Sequence, residues 1–325
     1  VRPSKPPEGL GGGGESLGVF GAPLTSPQNA LVKRAASLRQ RKFRDREGAF
    51  LAEGADVVAA GLAAGRRPQV VFLREELAGE LGARLGLLGG GAGEDPGGRP
   101  SALDPAGPPP SVFAVDDRVA ARLSTLETPA DAVAVFPLPD RQPVSSLLGP
   151  DSGLDPSRLL VVYADGIQDP GNLGTLVRAA VAFGASALVT GPGSADAFGA
   201  KTVRASMGAI FGVPVFADVV LSDVVGRLPV AGVYGFAAHE GAPLDTVRPQ
   251  YPCVLAVGAE RAGLSRRVLE HVTQLVTIPL APAVAGVVES LNAGVAGAIA
   301  LYEFSRRSAG ASDDPPRRPA APAKG

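Results

Sequence analysis

RLLVVYADGIQDPGNLGTLVRAAVAFGASALVT, residues 158–190, is the stretch whose reading decides the fold. The apolar run Leu159–Val162 precedes a turn cluster from Asp165 to Asn172. Short runs rich in β-branched residues form buried strands. Leu173, Leu176, Val177 and Ala180 then recur at i, i+3, i+4 and i+7, the spacing of one apolar helix face. Asn172 stands at the expected N-cap, where its side-chain oxygen can accept an orphan N–H of the first turn. Gly184 ends the helix, and Ala187–Thr190 begins a second strand. The stretch therefore reads as a β-loop-α-β unit. Arg178 lies off the apolar stripe and, taken alone, reads as solvated surface.

Downstream of this unit the pattern continues as α/β. Strands are expected at Val213–Phe216, Gly232–Ala237 and Cys253–Val257. Helices are expected at Leu221–Leu228, Arg266–Gln274 and Leu291–Phe304. In the last helix Leu291, Val295, Ala298, Ile299 and Tyr302 share a face. Upstream, residues 28–46 read as an amphipathic helix and its exit. Strands follow at Phe50–Glu53, Gln69–Leu73, Val112–Val115 and Ala132–Phe136. Helices are expected at Asp56–Ala64, 75–88 and Asp116–Leu123. This alternation predicts a small α/β layer at 28–137, a polar linker at 138–157 and a larger α/β unit with a mostly parallel sheet at 158–305. The chain holds 43 glycines and 31 prolines. They concentrate in residues 1–27, roughly 82–110, and 306–325, which lack the apolar periodicity of a core and read as two disordered tails and one long insertion.

Charge narrows the partners. With 31 Lys and Arg against 32 Asp and Glu, the net charge of −1 signals no nucleic-acid partner by itself. Binding to RNA would need a local patch, and Lys33, Arg34, Arg39, Arg41, Lys42, Arg44 and Arg46 crowd one segment opposed only by Asp45. Each phosphate such a patch neutralises releases counterions and adds affinity. The one cysteine, Cys253, sits in an apolar run and reads as a buried strand residue. One Cys with only His239 and His271 leaves no basis for a disulfide framework, a structural zinc site or a Cys–His nucleophile pair. No metal is expected. No apolar run approaches the roughly 18 residues of a membrane span. Arg2 and Lys5 are not followed by the apolar core of a secretory signal, so the compartment is expected to be cytoplasmic or organellar (chloroplast or mitochondrion), not secreted.

Three further segments carry a resemblance. Asp169-Pro170-Gly171-Asn172-Leu173-Gly174, with Arg178 six residues after Asn172, resembles the first motif of the SpoU-type RNA 2′-O-methyltransferases, a branch of the SPOUT superfamily. Val257-Gly258-Ala259-Glu260-Arg261-Ala262-Gly263-Leu264 is similar to the second motif. Ile278-Pro279-Leu280 followed by Glu289-Ser290-Leu291-Asn292-Ala293-Gly294-Val295-Ala296 is similar to the third. Each motif is weak alone; three in order over about half the chain are specific. The segment Arg41-Lys42-Phe43-Arg44 before Ala49–Gly54, and Leu123–Pro129 before the last strand, resemble the family's substrate-binding domain. The long segment at 82–110, and Asp131-Ala132 where a Gly is often seen, depart from its pattern.

The resemblance implies a C-terminal trefoil-knotted SPOUT methyltransferase domain. It also implies an N-terminal, ribosomal-protein-like RNA-binding domain using Lys33, Arg34, Arg39, Arg41, Lys42 and Arg44. It implies S-adenosylmethionine as methyl donor, held by Gly258, Ile278, Leu280 and Leu291, and a homodimer acting on rRNA or tRNA, with rRNA preferred. Asn172, Arg178, Glu260, Ser290 and Asn292 are the implied catalytic set. Four residues more than usual separate the Ile-Pro-Leu and Ser-Leu-Asn elements. A guanidinium with a pKa above about 12 is a poor base, so Arg178 is expected to bind phosphate and stabilise a developing alkoxide. Asn172 would orient Arg178 or the ribose, and Glu260 would hydrogen-bond the surrounding loops. Ser290 and Asn292 could also cap the last helix. A non-catalytic RNA-binding or ribosome-assembly factor on the same fold is the rival reading. A dinucleotide enzyme is disfavoured because no G-x-G-x-x-G follows the first strand of a βαβ unit.

Overall fold

A computed structural model describes residues 23–87, 109–281 and 290–309. The N-terminal part runs α1 (Ala30–Ser37), α2 (Arg41–Glu47), β1 (Ala49–Glu53), α3 (Ala55–Ala63), β2 (Val70–Arg74), α4 (Ala78–Arg84), β3 (Ser111–Val115), α5 (Asp117–Leu123) and β4 (Ala132–Pro137). Its sheet has the order β1-β4-β2-β3, antiparallel except for the β2–β3 pair. The C-terminal part runs β5 (Leu160–Asp165), α6 (Pro170–Ala182), β6 (Ala187–Thr190), α7 (Ala200–Ala205), β7 (Val215–Phe216) and α8 (Leu221–Arg227). It continues with β8 (Gly232–Phe236), β9 (Ala242–Pro243), β10 (Cys253–Gly258), α9 (Arg266–Leu269), β11 (Gln274–Thr277) and α10 (Ala293–Ala309).

The second sheet is parallel throughout, in the order β7-β6-β5-β10-β8-β11-β9. Side chains alternate across a strand with period two. In β5, Leu160, Val162 and Ala164 pack on the same side as Leu173, Leu176 and Val177 of α6 and Leu301 of α10. Val161 and Tyr163 pack on the other side with Leu221 and Val224 of α8 and Val268 of α9. Both faces are thus covered, which is why β5 and β10 read as continuous apolar runs rather than alternating ones. Cys253 lies in β10 at 1 % exposure, and burial pushes its thiol up to about 12.

Chain order reverses at the centre of this sheet. From β5 the chain moves outward to β6 and β7, then crosses to β8 before β10 inserts beside β5. In open α/β sheets ligands bind beyond the carboxyl ends of strands at such a switch point. Here that point lies at the paired ends Asp165 and Gly258.

Several expected elements differ. The 28–46 segment forms two helices, because Leu38 closes the first and Gln40 is already extended. The helix expected at 266–274 stops at Leu269, and Gln274–Thr277 is a strand pairing with β8. Its β-branched ending fits that strand. On α10 the face with Val295, Ile299 and Tyr302 points outward, while Ala300, Leu301 and Phe304 pack inward. The helix also continues to Ala309, into the stretch read as a tail. Leu24, assigned to the other tail, bridges to Val115, and α4 occupies 78–84 at the start of the expected insertion. The 138–157 linker is packed: it forms short 3-10 turns, and Val144 and Leu147 are buried against the α8 side. The remainder of both tails and the insertion, and residues 282–289 of the lengthened connection, Glu289 among them, lie outside the described residues.

The two parts share a core. Phe50 and Phe136 of the first sheet meet Phe198 and Phe211 of the second part, with ring centroids 4.7–5.9 Å apart. Around this aromatic cluster stand ionic ties. Arg44 is 4 % exposed; it donates to the Leu38 and Arg39 carbonyls and pairs with Asp196 at 2.5 Å. Arg41 pairs with Asp218 and stands 3.9 Å from Asp196. Glu53, fully buried, accepts from Ser124, Thr125 and, at 3.3 Å, Arg204 of α7. Arg44, expected to face RNA, instead commits its guanidinium inside the fold. Removing one partner of a fully buried pair costs about 3–5 kcal/mol. Asp196 keeps about a quarter of its side chain exposed. Arg44→Ala is therefore expected to destabilise by about 2–3 kcal/mol in urea unfolding; an unchanged midpoint would return Arg44 to a surface role.

Candidate active site

The site grows from the ends of β5 and β10. Asp165 closes β5, is 7 % exposed, and accepts the Ser265 N–H at 2.6 Å, holding the loop after β10 against β5. That loop doubles back on itself: Ala259 and Gly263 exchange both backbone hydrogen bonds, at 3.1 and 2.8 Å. The reversal passes so close to Gly258 that a Cβ there would lie 2.3 Å from the Gly263 backbone. Gly258 is therefore a position of close approach, a use specific to glycine. The tight loop presents Glu260 outward.

Helix α6 is capped by Asp169, not Asn172. The Asp169 carboxylate accepts the Asn172 N–H at 2.9 Å, and Pro170 occupies the first helical position. Pro lacks the N–H that is orphaned there and has the right φ, so D-P is the stronger start signal. Asn172 is thereby moved one turn in, and its side chain is free for another partner. At the far end Gly184, with φ of 72°, takes the left-handed conformation; its N–H reaches Val181 and that of Ala185 reaches Ala180, satisfying the last carbonyls.

Three donors from two distant segments meet at Glu260. Its Oε1 accepts from Asn172 Nδ2 at 2.9 Å, Asn292 Nδ2 at 2.5 Å and the Ala293 N–H at 3.4 Å. Asn292 Nδ2 also donates to Asn172 Oδ1 at 2.7 Å. The other end of the Asn292 amide caps α10, its Oδ1 accepting the Val295 N–H at 3.2 Å. A single carboxylate oxygen thus ties the start of α6 to the start of α10.

Two cavities flank this clasp. The smaller, about 260 Å³, is mainly apolar and is lined by Gly258, Leu264, Ile278, Leu280, Ser290 and Leu291 among others. The larger, about 1070 Å³, is an open cleft edged by charged and polar side chains, among them Asp165, Asp169, Asn172, Arg261, Arg266 and Arg267. Glu260 lines both. Tyr163 also borders the cleft and donates to the Val219 carbonyl. Burial, then the Asp165 charge, push its phenol up to about 12, so it stays protonated at neutral pH.

The structure thus places Asn172, Glu260, Ser290 and Asn292 with Gly258, Ile278, Leu280 and Leu291. It does not bring Arg178 to them. Arg178 is exposed on α6, lines neither cavity, and has no hydrogen bond or ion pair among the described residues. Of the expected phosphate contacts, Arg34 pairs with Glu47, while Lys33 and Lys42 are exposed. Asp165 and Lys201 were not singled out in the sequence. The Asp that ends an apolar strand was a usable signal for the first; nothing marked the second before the fold placed it 3.8 Å from Asp169. Among the described residues no His, Cys, Asp and Glu group could hold a metal ion, and no helix is long and apolar enough to cross a membrane.

Comparison with known proteins places the chain beside RNA methyltransferases. Residues 159–302 match the model of the SpoU rRNA methylase family, and residues 29–134 match that of an MRM3-like substrate binding domain. The chain is 29 % identical to the Bacillus subtilis 23S rRNA (guanosine(2553)-2′-O)-methyltransferase RlmP, over 86 % of this chain and 98 % of the relative. A TrmH-family structure from Porphyromonas gingivalis is 31 % identical with a TM-score of 0.65, covering 86 % of this chain and 98 % of its own. An AdoMet-bound rRNA methyltransferase from Sinorhizobium meliloti is 27 % identical with a TM-score of 0.67, covering 87 % and 97 %.

The cap assignment can be tested on stability alone. Asp169→Ala is expected to cost about 1 kcal/mol in urea unfolding, the usual worth of an N-cap. Asp169→Ser keeps a side-chain oxygen able to accept the Asn172 N–H and should cost less than half as much. Equal cost for Ala and Ser would remove Asp169 from the cap.

Proposed function

Because this chain belongs to the SpoU rRNA methylase family, we propose that it transfers a methyl group from S-adenosylmethionine to a ribose 2′-hydroxyl of structured RNA, ribosomal RNA before transfer RNA. The observation that carries the reading is the Glu260 clasp, which stands between a small apolar slot and a larger cleft edged by charged side chains. The slot fits a nucleoside donor. Ile278, Leu280 and Leu291 would wall it, and Gly258, against which the Gly263 backbone folds back, would line its inner side. When bound, S-adenosylmethionine supplies an already activated methyl group.

The chain's own residues then do the positioning. Glu260 takes up both Asn donors and so holds the two amides in fixed orientation at the mouth of the cleft. That preorganisation would seat the ribose, and orientation of this kind can lower a barrier by about 7–11 kcal/mol. Ser290 stands at the lip of the slot. The Arg178 guanidinium would bind the RNA phosphate and stabilise the alkoxide as the hydroxyl proton leaves to phosphate or water.

Arg178 cannot do this from its own cleft. Beside it α10 exposes Val295, Ile299 and Tyr302 at 44 %, 38 % and 47 %, an apolar stripe at i, i+4 and i+7. These two observations support a homodimer in which one protomer's Arg178 serves its partner's cleft. The trefoil knot at the C-terminal end and a cytoplasmic or organellar setting belong to the same reading.

The test is methyl transfer from labelled S-adenosylmethionine to rRNA. Label resistant to alkaline cleavage at one linkage is expected. Arg178→Ala should reduce transfer by about 10²–10³-fold, the cost of removing one charge-stabilising donor, with donor binding unchanged. A mixture of Arg178→Ala and Glu260→Ala chains should recover activity that neither has alone, since a mixed dimer retains one complete site. RNA binding without donor binding or label would instead make the protein an RNA-binding assembly factor.

A further inference from the structure

The basic segment around α1 and α2 is largely neutralised within the fold. Arg34 and Arg46 both reach Glu47, Arg41 reaches Asp218, and Arg44 reaches Asp196. Unbalanced positive charge gathers elsewhere, at the seam between the two domains. Arg39 leaves the end of α1 and donates to the Arg122 carbonyl of α5. From the other side α7 brings Arg204, which donates to Thr125 Oγ1 at 2.8 Å. Among the described residues the acid that reaches this group is Glu53, which is fully buried and already satisfied by Ser124, Thr125 and Arg204. Among the described residues neither Arg39 nor Arg122 has an ion pair within 4 Å, and the Arg39 Nε is buried without a hydrogen-bond partner. Three cations around one consumed anion call for another anion.

Two features fit that anion to a nucleic-acid strand. Apolar side chains stand on the seam's rim: Leu126, next to Thr125, is 40 % exposed, and Met207 is 50 % exposed. Met207 holds a φ of 51°. A non-glycine residue in that region costs of the order of 1–3 kcal/mol and clusters at functional positions. The second feature is continuity with the active site. Lys201 lies one helical turn before Arg204 on α7, so the two neighbour each other on one helix face. Its Nζ is 3.8 Å from Asp169, the cap of α6 three residues before Asn172.

We infer that Arg39, Arg122, Arg204 and Lys201 form one phosphate track that carries an RNA strand from the substrate domain across the seam to the methyl-transfer cleft, with Leu126 and Met207 contacting ribose or an unstacked base. The inference deepens, and rests on, the RNA-methyltransferase reading. It moves the grip on RNA from the α1–α2 surface to the joint itself. The Glu53 network then both locks the domains and holds the track in shape.

The test uses the full chain and deproteinised large-subunit rRNA. Arg122→Ala and Lys201→Ala change exposed side chains, so their folds should be retained. RNA affinity would be measured over a range of salt concentrations, with S-adenosylmethionine affinity alongside. Each substitution should weaken RNA binding several-fold and flatten the log–log salt slope by about 0.7–0.9 for every phosphate no longer neutralised, with donor affinity unchanged. Wild-type RNA affinity and slope in both variants would overturn the track. Flattened slopes in a protein that methylates no RNA would keep the track and overturn the enzyme reading. Methylation with unaltered slopes would do the opposite.

Discussion

The parallel pairing of β5 with β10 is the constraint on which the rest depends. These strands are far apart in sequence, yet their register sets Gly258 beside Asp165. The two loops that leave them therefore start from one edge of the sheet. Burial on both faces holds the pair rigidly, because β5 and β10 contribute alternately to two cores. A slip of one residue would exchange those faces and separate the loops. The site's precision is thus inherited from packing beneath it rather than from the loops themselves.

On that base a single carboxylate links elements that no local sequence rule connects. Glu260 lies 88 residues from Asn172 and 32 from Asn292. Placing one acceptor between two amides fixes both helix starts relative to the apolar slot. The same economy recurs at the domain joint. There Glu53 and Asp196 gather partners from the opposite domain, and an aromatic cluster seals the space between. Rigid joints of this kind suit an enzyme that must present one ribose of a large folded RNA at a fixed distance from its donor.

The sequence made much of this legible, for physical reasons. Period-two and period-3.6 patterns are strong where an element is buried, so β5, α6 and β10 could be read directly. Patterns are weak where burial is partial. Hence β11, only four residues long, was not read as a strand, the expected helix running on to its first residue, Gln274, and the outward stripe of α10 was read as a shared apolar face without its destination. Residue type misled where pairing decides: Arg44 and Arg41 look like phosphate contacts in a basic run, yet they find the distant acids Asp196 and Asp218, 152 and 177 residues along the chain. Asn172 looked like a cap because capping is common for Asn; Asp-Pro just before it is the better signal. The members of the clasp came only through the resemblance of the three motifs; which atoms they join, and the seam, were not readable, since each depends on contacts between segments that are distant in the chain.

The account turns on the apolar slot, rather than the larger cleft, holding the methyl donor. Ultraviolet crosslinking of labelled S-adenosylmethionine, followed by peptide mapping, tests this most directly. Label should fall in peptides containing Gly258–Leu264, Ile278–Leu280 or Ser290–Ala293. Label confined to peptides that line only the cleft, such as those with Pro192-Gly193 or Ser222, would contradict it.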